Sequence, residues 1–383
     1  MPCVDPKDDA SHLGRPDKLL FWTPEQQVAG YRNMDKVFPT RIIKAGGKPS
    51  AMPEHRVDLD DVQISYEDGR LTTDDYFGRR NVAGLLVIKN GHIVYERYGL
   101  GNSRDTKWVS FSVAKSVTSL LVGAAIRDGH IKSVDGMVTD YLPRMKGSSY
   151  DQASIRNILQ MASGVAWNED YADPDSDISR MVGIGTLAQE EYLRGRPVDA
   201  PPGEVFNYNT AETGMVGDLL RAAIGNKLST YLSEKIWRPF GMEADANWKL
   251  QEPGGGEIGG AGISATLRDY GRLGLFALAD GWLADGTPVL ADKWMAESTA
   301  PSKGNPGYGY LWWLGEGGAF WATGIFRQGI YVDPRERIVI ALHSARPVAS
   351  NDTERTLQNA LYAALTKALS SGTMAGLLGM AEV

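Results

Sequence analysis

The fold of this chain is decided by the stretch Ser110-Phe-Ser-Val-Ala-Lys-Ser-Val-Thr-Ser-Leu-Leu-Val-Gly-Ala-Ala-Ile126. Its apolar residues recur at helical spacing, it starts on a serine, and Asp128-Gly129 follows it, a pattern typical of a helix and its end. The stretch therefore predicts a largely buried helix. Within it, Ser112 and Lys115 are three positions apart and share one face of that helix.

The Ser112-x-x-Lys115 spacing brings an amine beside a hydroxyl, which pairs a nucleophile with a base. A free lysine has a pKa of about 10.4, so Lys115 acts as a base near neutrality only if desolvation or nearby positive charge lowers that pKa. Apolar neighbours in 111–117 favour desolvation. The tetrapeptide alone is a weak signal, because capped helix starts often contain it by chance.

Strand patterns lie on both sides of this helix in the sequence. Residues 84–98 form two β-branched and aromatic runs joined by Asn90-Gly91, a strong hairpin signal. Further strands are predicted at 309–314, 329–332 and 338–343. Helices are predicted at 152–161, at 211–224, after Ser264 and at about 352–369.

This order of elements predicts an α/β (α+β) protein, with one antiparallel sheet built from two distant segments and flanked by helices. We expect an irregular N-terminal arm at 1–80 packed on the body, a sheet domain formed by 81–135 and 265–370, and a mainly helical domain at 136–264. Residues 371–383 are expected to form a loosely ordered tail. A cleft between the two domains is the expected place for a site.

Composition excludes several classes of function. Of the 383 residues, 43% are apolar and 23% charged, which is typical of a globular protein. The net charge of −7, without any cationic block, argues against a nucleic-acid partner. The N-terminus lacks the pattern of a secretory signal, and no apolar run approaches about 18 residues. We expect a cytoplasmic protein that does not bind a membrane. The sequence leaves open whether the protein forms a homodimer.

No pattern for a metal or a cofactor is found. The single cysteine, Cys3, excludes an intramolecular disulfide, and nucleotide-binding glycine motifs are missing. A Ser-His-Asp triad stays open without positive support. The histidines are scattered without metal-ligand spacing: His12, His55, His92, His130 and His343. We therefore predict neither a metal site nor a cofactor.

The order of several motifs resembles the serine β-lactamase and penicillin-binding superfamily, in its class C and esterase-like branch, over about residues 80–370. Within that branch, the sequence is most similar to 6-aminohexanoate-dimer hydrolases. The motifs that carry the resemblance are the hairpin, Ser112-x-x-Lys115, Asn168-Glu-Asp-Tyr171, Phe206-Asn-Tyr208-Asn-Thr210, the turn at 260–269, the segment 308–313, and Gly324-x-x-x-Gln328-x-x-x-x-Asp333-Pro334.

The resemblance implies roles for individual residues. Ser112 would be the nucleophile, Lys115 its proton partner and Tyr208 a second acid/base group. The oxyanion hole would be formed by the backbone amides of Ser112 and Ile325. Substrate contacts would come from four further residues: Tyr171, Asn209, Gly324 and Trp321.

Two departures from the superfamily pattern affect the substrate. Ala322 stands where β-lactamases and transpeptidases have the lysine of Lys-Thr-Gly, and Thr210 stands where the second motif has asparagine. Asn209 is a substitute for that asparagine if the register shifts. These departures favour simple esters or linear amides as small-molecule substrates over β-lactams or muropeptides.

The hypothesis from the sequence is a cofactor-free serine hydrolase that acts through a Ser112 acyl-enzyme. Three alternatives stay open: a β-lactamase or DD-peptidase, a catalytically weak binding module, and acyl transfer to a small acceptor. The pattern alone does not separate them, because loop shape decides substrate choice.

Overall fold

The computed structural model describes residues 4–67 and 69–370. The predicted tail at 371–383 and Cys3 lie outside this range. The strands are β1 Thr40–Ile43, β2 Gln63–Tyr66, β3 Gly69–Thr72, β4 Val82–Lys89, β5 His92–Tyr98, β6 Lys107–Val109, β7 Ala246–Lys249, β8 Ile263–Thr266, β9 Trp313–Leu314, β10 Phe320–Gly324, β11 Gln328–Asp333 and β12 Ile338–Ser344.

The α-helices lie before, between and after these strands along the chain. They are α1 Pro24–Arg32, α2 Met34–Val37, α3 Thr73–Arg79, α4 Val113–Arg127, α5 Val138–Tyr141, α6 Ile155–Leu159, α7 Asp177–Met181, α8 Thr186–Arg194, α9 Thr210–Ile224, α10 Leu228–Leu232, α11 Leu267–Leu278, α12 Trp294–Ser298 and α13 Asp352–Ser370. Short 3₁₀ turns occupy Pro6–Ser11, Pro16–Phe21, Pro143–Met145, Glu316–Gly318 and Ile325–Arg327, and a π-helical turn occupies Ser233–Trp237.

A six-stranded antiparallel sheet in the order β5-β4-β12-β11-β10-β9 joins the two ends of the chain. The predicted hairpin is its β4–β5 pair, and both turn residues, Asn90 and Gly91, have positive φ, as a type I′ turn requires. Strand β12 pairs with β4 and brings Ala341 opposite Leu86. The predicted α/β (α+β) class, with a sheet assembled from distant segments, is confirmed.

Helices cover both faces of this sheet because the side chains of its strands alternate between them. On one face, Leu86 and Ile88 of β4 pack in the same core as Phe276 of α11. On the other face, Leu85 and Val87 share a core with Leu361 and Leu365 of α13, among others. The helices predicted after Ser264 and at about 352–369 are observed at Leu267–Leu278 and Asp352–Ser370, and they are the two layers that bury the sheet.

The helix that carries Ser112-x-x-Lys115 lies in the interior, as predicted. Residues 113–125 of α4 are all buried, and the helix ends at Arg127, just before the predicted Asp128-Gly129 end. It packs against α9 and β10. The Ser112 end of α4 is thereby placed between the six-stranded sheet and the helices of the middle segment.

A second, four-stranded sheet in the order β1-β7-β8-β6 was not anticipated from the sequence. It contains β1 from the predicted irregular arm and β7 from the predicted helical segment, and these two strands pair with Thr40 opposite Lys249. Each strand has only three or four residues, so no local periodicity reveals it. The division of the chain into the four predicted segments stays a prediction.

The N-terminal arm packs against the residues that lead into α4. Tyr31 of α1 is fully buried, and its ring lies 5.0 Å from that of Phe111 and 5.6 Å from that of Trp108. Helix α1 begins with a capping box formed by Thr23 and Gln26. Part of the arm therefore forms regular helices and a strand. Its Tyr31 packs against Phe111, the residue that precedes Ser112.

Candidate active site

Ser112 is presented by a tight turn at the start of α4. Phe111 has a φ of 45°, a conformation that non-glycine residues rarely adopt and that needs support from surrounding structure. Ser110 supplies part of that support, since its amide donates to the Ile263 carbonyl at 2.7 Å and its Oγ accepts from the Ile263 amide at 3.2 Å. Ser112 makes no side-chain capping bond to α4, which leaves its Oγ available for chemistry.

Lys115 lies one helical turn further on and points at Ser112. Its Nζ is 3.0 Å from Ser112 Oγ, 2.9 Å from Thr210 Oγ1 and 2.8 Å from the Gly260 carbonyl oxygen. The side chain is 2% exposed. Burial lowers the pKa of Lys115 to about 8, and the nearby Glu169 carboxylate opposes this shift. With a pKa of about 8, about a tenth of the amine is neutral at pH 7, far more than for a free lysine.

Tyr208 reaches the same place from the segment just before α9. Lys115 Nζ lies 5.1 Å from the centre of its ring, and Trp313 stacks on the other side with ring centres 6.0 Å apart. Burial raises the pKa of Tyr208 well above its ordinary value, and a hydrogen bond with Ser112 only partly opposes this. Tyr208 is thus a protonated phenol at neutral pH, a proton donor beside the serine.

The second departure from the superfamily pattern has a clear structural outcome. Thr210 takes the position next to Lys115, whereas Asn209 caps α9 by accepting the Glu212 amide at 3.1 Å. Asn209 is 1% exposed and lines neither of the cavities described below. The structure therefore does not bring Asn209 to the substrate side: the helix N-terminus needs its side chain, and no register shift occurs.

Glu169 is a member of the site that sequence reasoning missed. Its carboxylate accepts hydrogen bonds from the Tyr171 hydroxyl at 2.8 Å and the Thr210 amide at 3.1 Å, and also from the Trp167 indole and the Thr210 hydroxyl. Glu169 thus fixes Thr210, which in turn contacts Lys115. The only sequence signal was its place inside the Asn168–Tyr171 motif, because its partner Thr210 lies 41 residues away.

The other wall of the site is the end of β10. A Cβ built on Gly324 would lie 2.3 Å from the Ser110 carbonyl oxygen and 3.2 Å from the Ser112 amide nitrogen. Only glycine fits there, and this close approach puts the following residue, Ile325, on the same side as the Ser112 amide. The arrangement suits the predicted pair of oxyanion-binding amides.

Substituting Gly324 by alanine is expected to lower kcat for ester hydrolysis by about 10²-fold or more, because the added methyl group pushes β10 away from the Ser112 amide. Initial rates measure the activity of the variant, and circular dichroism shows whether it is folded. Gly78→Ala in α3 is the matched control, since its Cβ would meet nothing within 4 Å. A Gly324→Ala protein with wild-type rates would contradict this role for Gly324.

Two cavities meet at Ser112. The outer cavity, of about 630 Å³, is lined by Tyr208, Trp313, Trp321 and Thr323 among others. The inner cavity, of about 320 Å³, is lined by Phe38, Met181, Lys249 and Leu250 among others. Four residues line both cavities: Leu20, Ser112, Tyr171 and Ile325.

The remaining predicted contact residues line these cavities. Tyr171 lies at the junction of the two, and Trp321 lines the outer cavity only. Trp313 also lines the outer cavity, whereas Trp312 is 2% exposed and packs on Phe320. Phe21 and Val348 are 47% and 46% exposed at the outer cavity, so part of the rim that faces solvent is apolar. The exposed rim also carries polar and charged side chains: Asp170, Ser350, Arg355 and Asn359.

In the described part of the chain, no helix combines the length and apolarity needed to cross a bilayer.

Comparisons with known proteins agree with this geometry. A 6-aminohexanoate-dimer hydrolase from Paenarthrobacter ureafaciens is 29% identical over 313 residues, which cover 75% of this chain and 78% of that protein. A D-aminopeptidase from Brucella anthropi is 25% identical over 175 residues, which cover 42% of this chain and 31% of that protein.

Solved structures share the fold. A Bacillus anthracis protein provisionally described as a 6-aminohexanoate-dimer hydrolase superposes with a TM-score of 0.80 at 23% identity, covering 90% of this chain and 94% of that one. A family VIII carboxylesterase superposes with a TM-score of 0.56 at 17% identity, covering 76% of this chain and 95% of that one. At these identities the likeness shows the fold alone.

The family model described as Beta-lactamase matches residues 70–364, a range that holds Ser112, Lys115, Tyr208 and the end of β10. The range covers well over half of the chain, the whole six-stranded sheet, and the four-stranded sheet except β1. From this match and from the way the motifs meet in space, we conclude that the chain belongs to the beta-lactamase family.

Proposed function

We propose that the protein is a serine hydrolase that cleaves carboxylic esters or linear amides through an acyl-enzyme on Ser112. The observation that carries the proposal is the 3.0 Å contact between Lys115 Nζ and Ser112 Oγ at a lysine that is 2% exposed. Burial makes that amine a base, and the contact gives it the serine proton to accept.

In the proposed acylation step, neutral Lys115 accepts the proton of Ser112 Oγ while the oxygen attacks the substrate carbonyl carbon. The carbonyl oxygen becomes an oxyanion facing the amides of Ser112 and Ile325. Tyr208 donates its hydroxyl proton to the departing alcohol or amine, and the Lys115 ammonium returns a proton to Tyr208. A water molecule then repeats the sequence on the acyl-enzyme and releases the acid.

Thr210 and Gly260 have a supporting role in this scheme. Both accept hydrogen bonds from Lys115, so the amine stays aimed at Ser112 rather than rotating into another rotamer. Glu169 holds Thr210 in turn. The departure from asparagine to threonine at position 210 thus keeps the contact to the lysine.

The substrate class is inferred from the walls of the outer cavity. Its wall contains Trp313, Trp321 and the exposed Phe21, which suit the uncharged part of an ester or amide. Charged side chains line the same cavity: Glu169, Asp170, Arg327 and Arg355. Ala322 lies inside β10 and is 1% exposed, so this position supplies no cation where the superfamily pattern has the Lys-Thr-Gly lysine. The 6-aminohexanoate-dimer hydrolase relative supports a linear amide as an alternative to an ester.

A labelling experiment tests the proposal directly. The protein is incubated with a fluorophosphonate, and intact mass spectrometry with peptide mapping locates the adduct, which we expect on Ser112. Turnover of p-nitrophenyl butyrate and of the chromogenic cephalosporin nitrocefin is measured in parallel. Nitrocefin turnover faster than ester turnover would favour the β-lactamase alternative, and the absence of any adduct on the folded protein would overturn the proposal.

Ester hydrolysis should depend on pH through Lys115. The reactive form is the neutral amine, so kcat/KM is expected to rise as pH increases through about 8, where Lys115 loses its proton. The Glu169 carboxylate raises the pKa of Lys115, so Glu169→Gln should move this rise to lower pH. Initial rates from pH 5 to 10 on both proteins are the measurement. A shift to higher pH would contradict the assignment of Lys115 as the base.

A further inference from the structure

A second buried lysine lies at the inner cavity. Lys249 is the last residue of β7, is 8% exposed, and holds its Nζ 3.9 Å from the centre of the Phe38 ring. Within residues 4–67 and 69–370, its ammonium group has no ion pair and no hydrogen bond. Lysines are rarely buried so deeply without an acidic partner, because removing a charge from water is costly. Packing on Phe38 compensates only a part of that cost.

The inner cavity connects this cation to the nucleophile. It is lined by Ser112 and Ile325 as well as by Lys249, and much of the wall between them is apolar, including Met181 and Leu250. Glu252 is the acidic residue of its lining, and it forms no ion pair with Lys249. A ligand that enters from Ser112 therefore meets an apolar passage and an unpaired positive charge.

The position of Tyr208 tells which part of the substrate enters the inner cavity. Tyr208 lines the outer cavity and not the inner one, whereas Ser112 lines both. In the proposed mechanism Tyr208 protonates the leaving group, which must therefore lie in the outer cavity. The acyl chain, on the other side of the scissile bond, is left with the inner cavity.

We infer that the inner cavity binds an acyl chain that ends in a carboxylate, with Lys249 as the group that pairs with that carboxylate. The preferred substrates would then be half-esters or half-amides of short linear dicarboxylic acids. This inference rests on the proposed function. A carboxylate would give the buried ammonium its missing acceptor, and charge-assisted hydrogen bonds of this kind are among the strong ones. The apolar passage suits the methylene groups of the chain.

A different cation lies in the outer cavity and must be separated from Lys249. Arg327 is 4% exposed and donates to Ser350 Oγ at 3.2 Å. Because it lines the outer cavity alone, it faces the leaving group in the mechanism proposed above. The exposed Arg355 also lines the outer cavity alone. A substrate with its carboxylate on the leaving group therefore tests these two arginines, and one with its carboxylate on the acyl chain tests Lys249.

The test compares three esters on the wild-type chain and on Lys249→Met. They are p-nitrophenyl hydrogen glutarate, p-nitrophenyl butyrate, and 4-carboxyphenyl butyrate, which carries its carboxylate on the leaving group. We expect wild-type kcat/KM for the glutarate ester to exceed that for p-nitrophenyl butyrate by about 10-fold or more, and Lys249→Met to remove this preference. Lys44→Met is the matched control, since Lys44 is 65% exposed and lines neither cavity.

Three results would overturn the inference. They are a wild-type protein without the preference, a Lys249→Met protein that keeps it, and a loss confined to 4-carboxyphenyl butyrate. In each case Ser112-dependent hydrolysis of p-nitrophenyl butyrate would leave the proposed function standing. Lys249→Gln replaces Lys249→Met if thermal unfolding shows that the methionine variant does not fold.

Binding of free glutarate, measured by calorimetry, tests the carboxylate site without depending on catalysis. It is measured on the wild type, on Ser112→Ala and on Lys249→Met, with butyrate as the reference ligand. We expect glutarate to bind the first two proteins and to bind Lys249→Met at least about 10-fold more weakly. If no ester is turned over and no fluorophosphonate adduct forms, the proposed function fails, and the glutarate result alone decides on the carboxylate site. Absence of glutarate binding to the wild type overturns that site.

Discussion

Replacing Ser112 by alanine is expected to lower p-nitrophenyl butyrate hydrolysis by at least about 10³-fold, to the level of residual binding effects. The substitution removes the hydroxyl oxygen that lies 3.0 Å from Lys115 Nζ at the junction of the two cavities. It should leave the fold intact, because Ser112 makes no capping hydrogen bond to α4. Initial rates and thermal unfolding are measured on the same preparations.

Ser119→Ala is the matched control for this variant. Ser119 lies on the same helix, is fully buried, and its hydroxyl has no hydrogen-bond partner among the described residues. Its replacement should change neither the rate nor the unfolding temperature by much. A Ser112→Ala protein that keeps more than a tenth of wild-type activity would refute the acyl-enzyme, and the nucleophile would have to be sought elsewhere in the outer cavity.

Replacing Lys115 by methionine is expected to cost about 10³-fold in kcat/KM, because the serine then has no base in contact with it. The double variant Ser112→Ala/Lys115→Met should be no slower than Ser112→Ala alone, since the two residues act as one unit. This non-additivity distinguishes a base from a lysine that only stabilises the fold. The measurement is kcat/KM for the two single variants and the double variant.

Stability must be followed in the Lys115 series. Methionine leaves the Gly260 carbonyl and Thr210 Oγ1 without the donor that they have in the wild type, although it also removes a buried charge. Lys227→Met, at an exposed position before α10, controls for the loss of a lysine as such. Full activity in a folded Lys115→Met protein would assign the proton transfer to Tyr208 instead.

Much of the fold could be predicted because its signals are local. The helical spacing of apolar residues after Ser112, the Asn90-Gly91 turn and the strand runs near the C-terminus each depend on neighbours in sequence, and α4, the β4–β5 hairpin, β11 and β12 follow them closely. The predicted strand at 309–314 is shortened to Trp313–Leu314. Leu311 there has a φ of 60°, which a regular strand does not allow.

The candidate site could be predicted only in part. Ser112 and Lys115 share a helix face by spacing alone, whereas Tyr208 and Ile325 entered through the family resemblance. Glu169 and Thr210 are in contact although 41 residues separate them in the sequence, and no local sequence pattern predicts such a contact. Asn209 was expected at the substrate, but its side chain instead accepts a hydrogen bond from a backbone amide at the start of α9, which has no partner within the helix.

By itself, the sequence determined the short-range features of this protein: the buried helix with its serine and lysine, the hairpin, the helices that cover the main sheet, and the loss of the Lys-Thr-Gly lysine at Ala322. Helical and strand periodicity and turn chemistry act over a few residues and can be read directly. Tertiary structure alone decided the four-stranded sheet, the carboxylate behind Thr210, and the meeting of two cavities at Ser112. It also decided that Lys249, inconspicuous in the sequence, is buried facing the nucleophile's inner cavity, because burial and charge pairing depend on residues that the chain brings together from far apart.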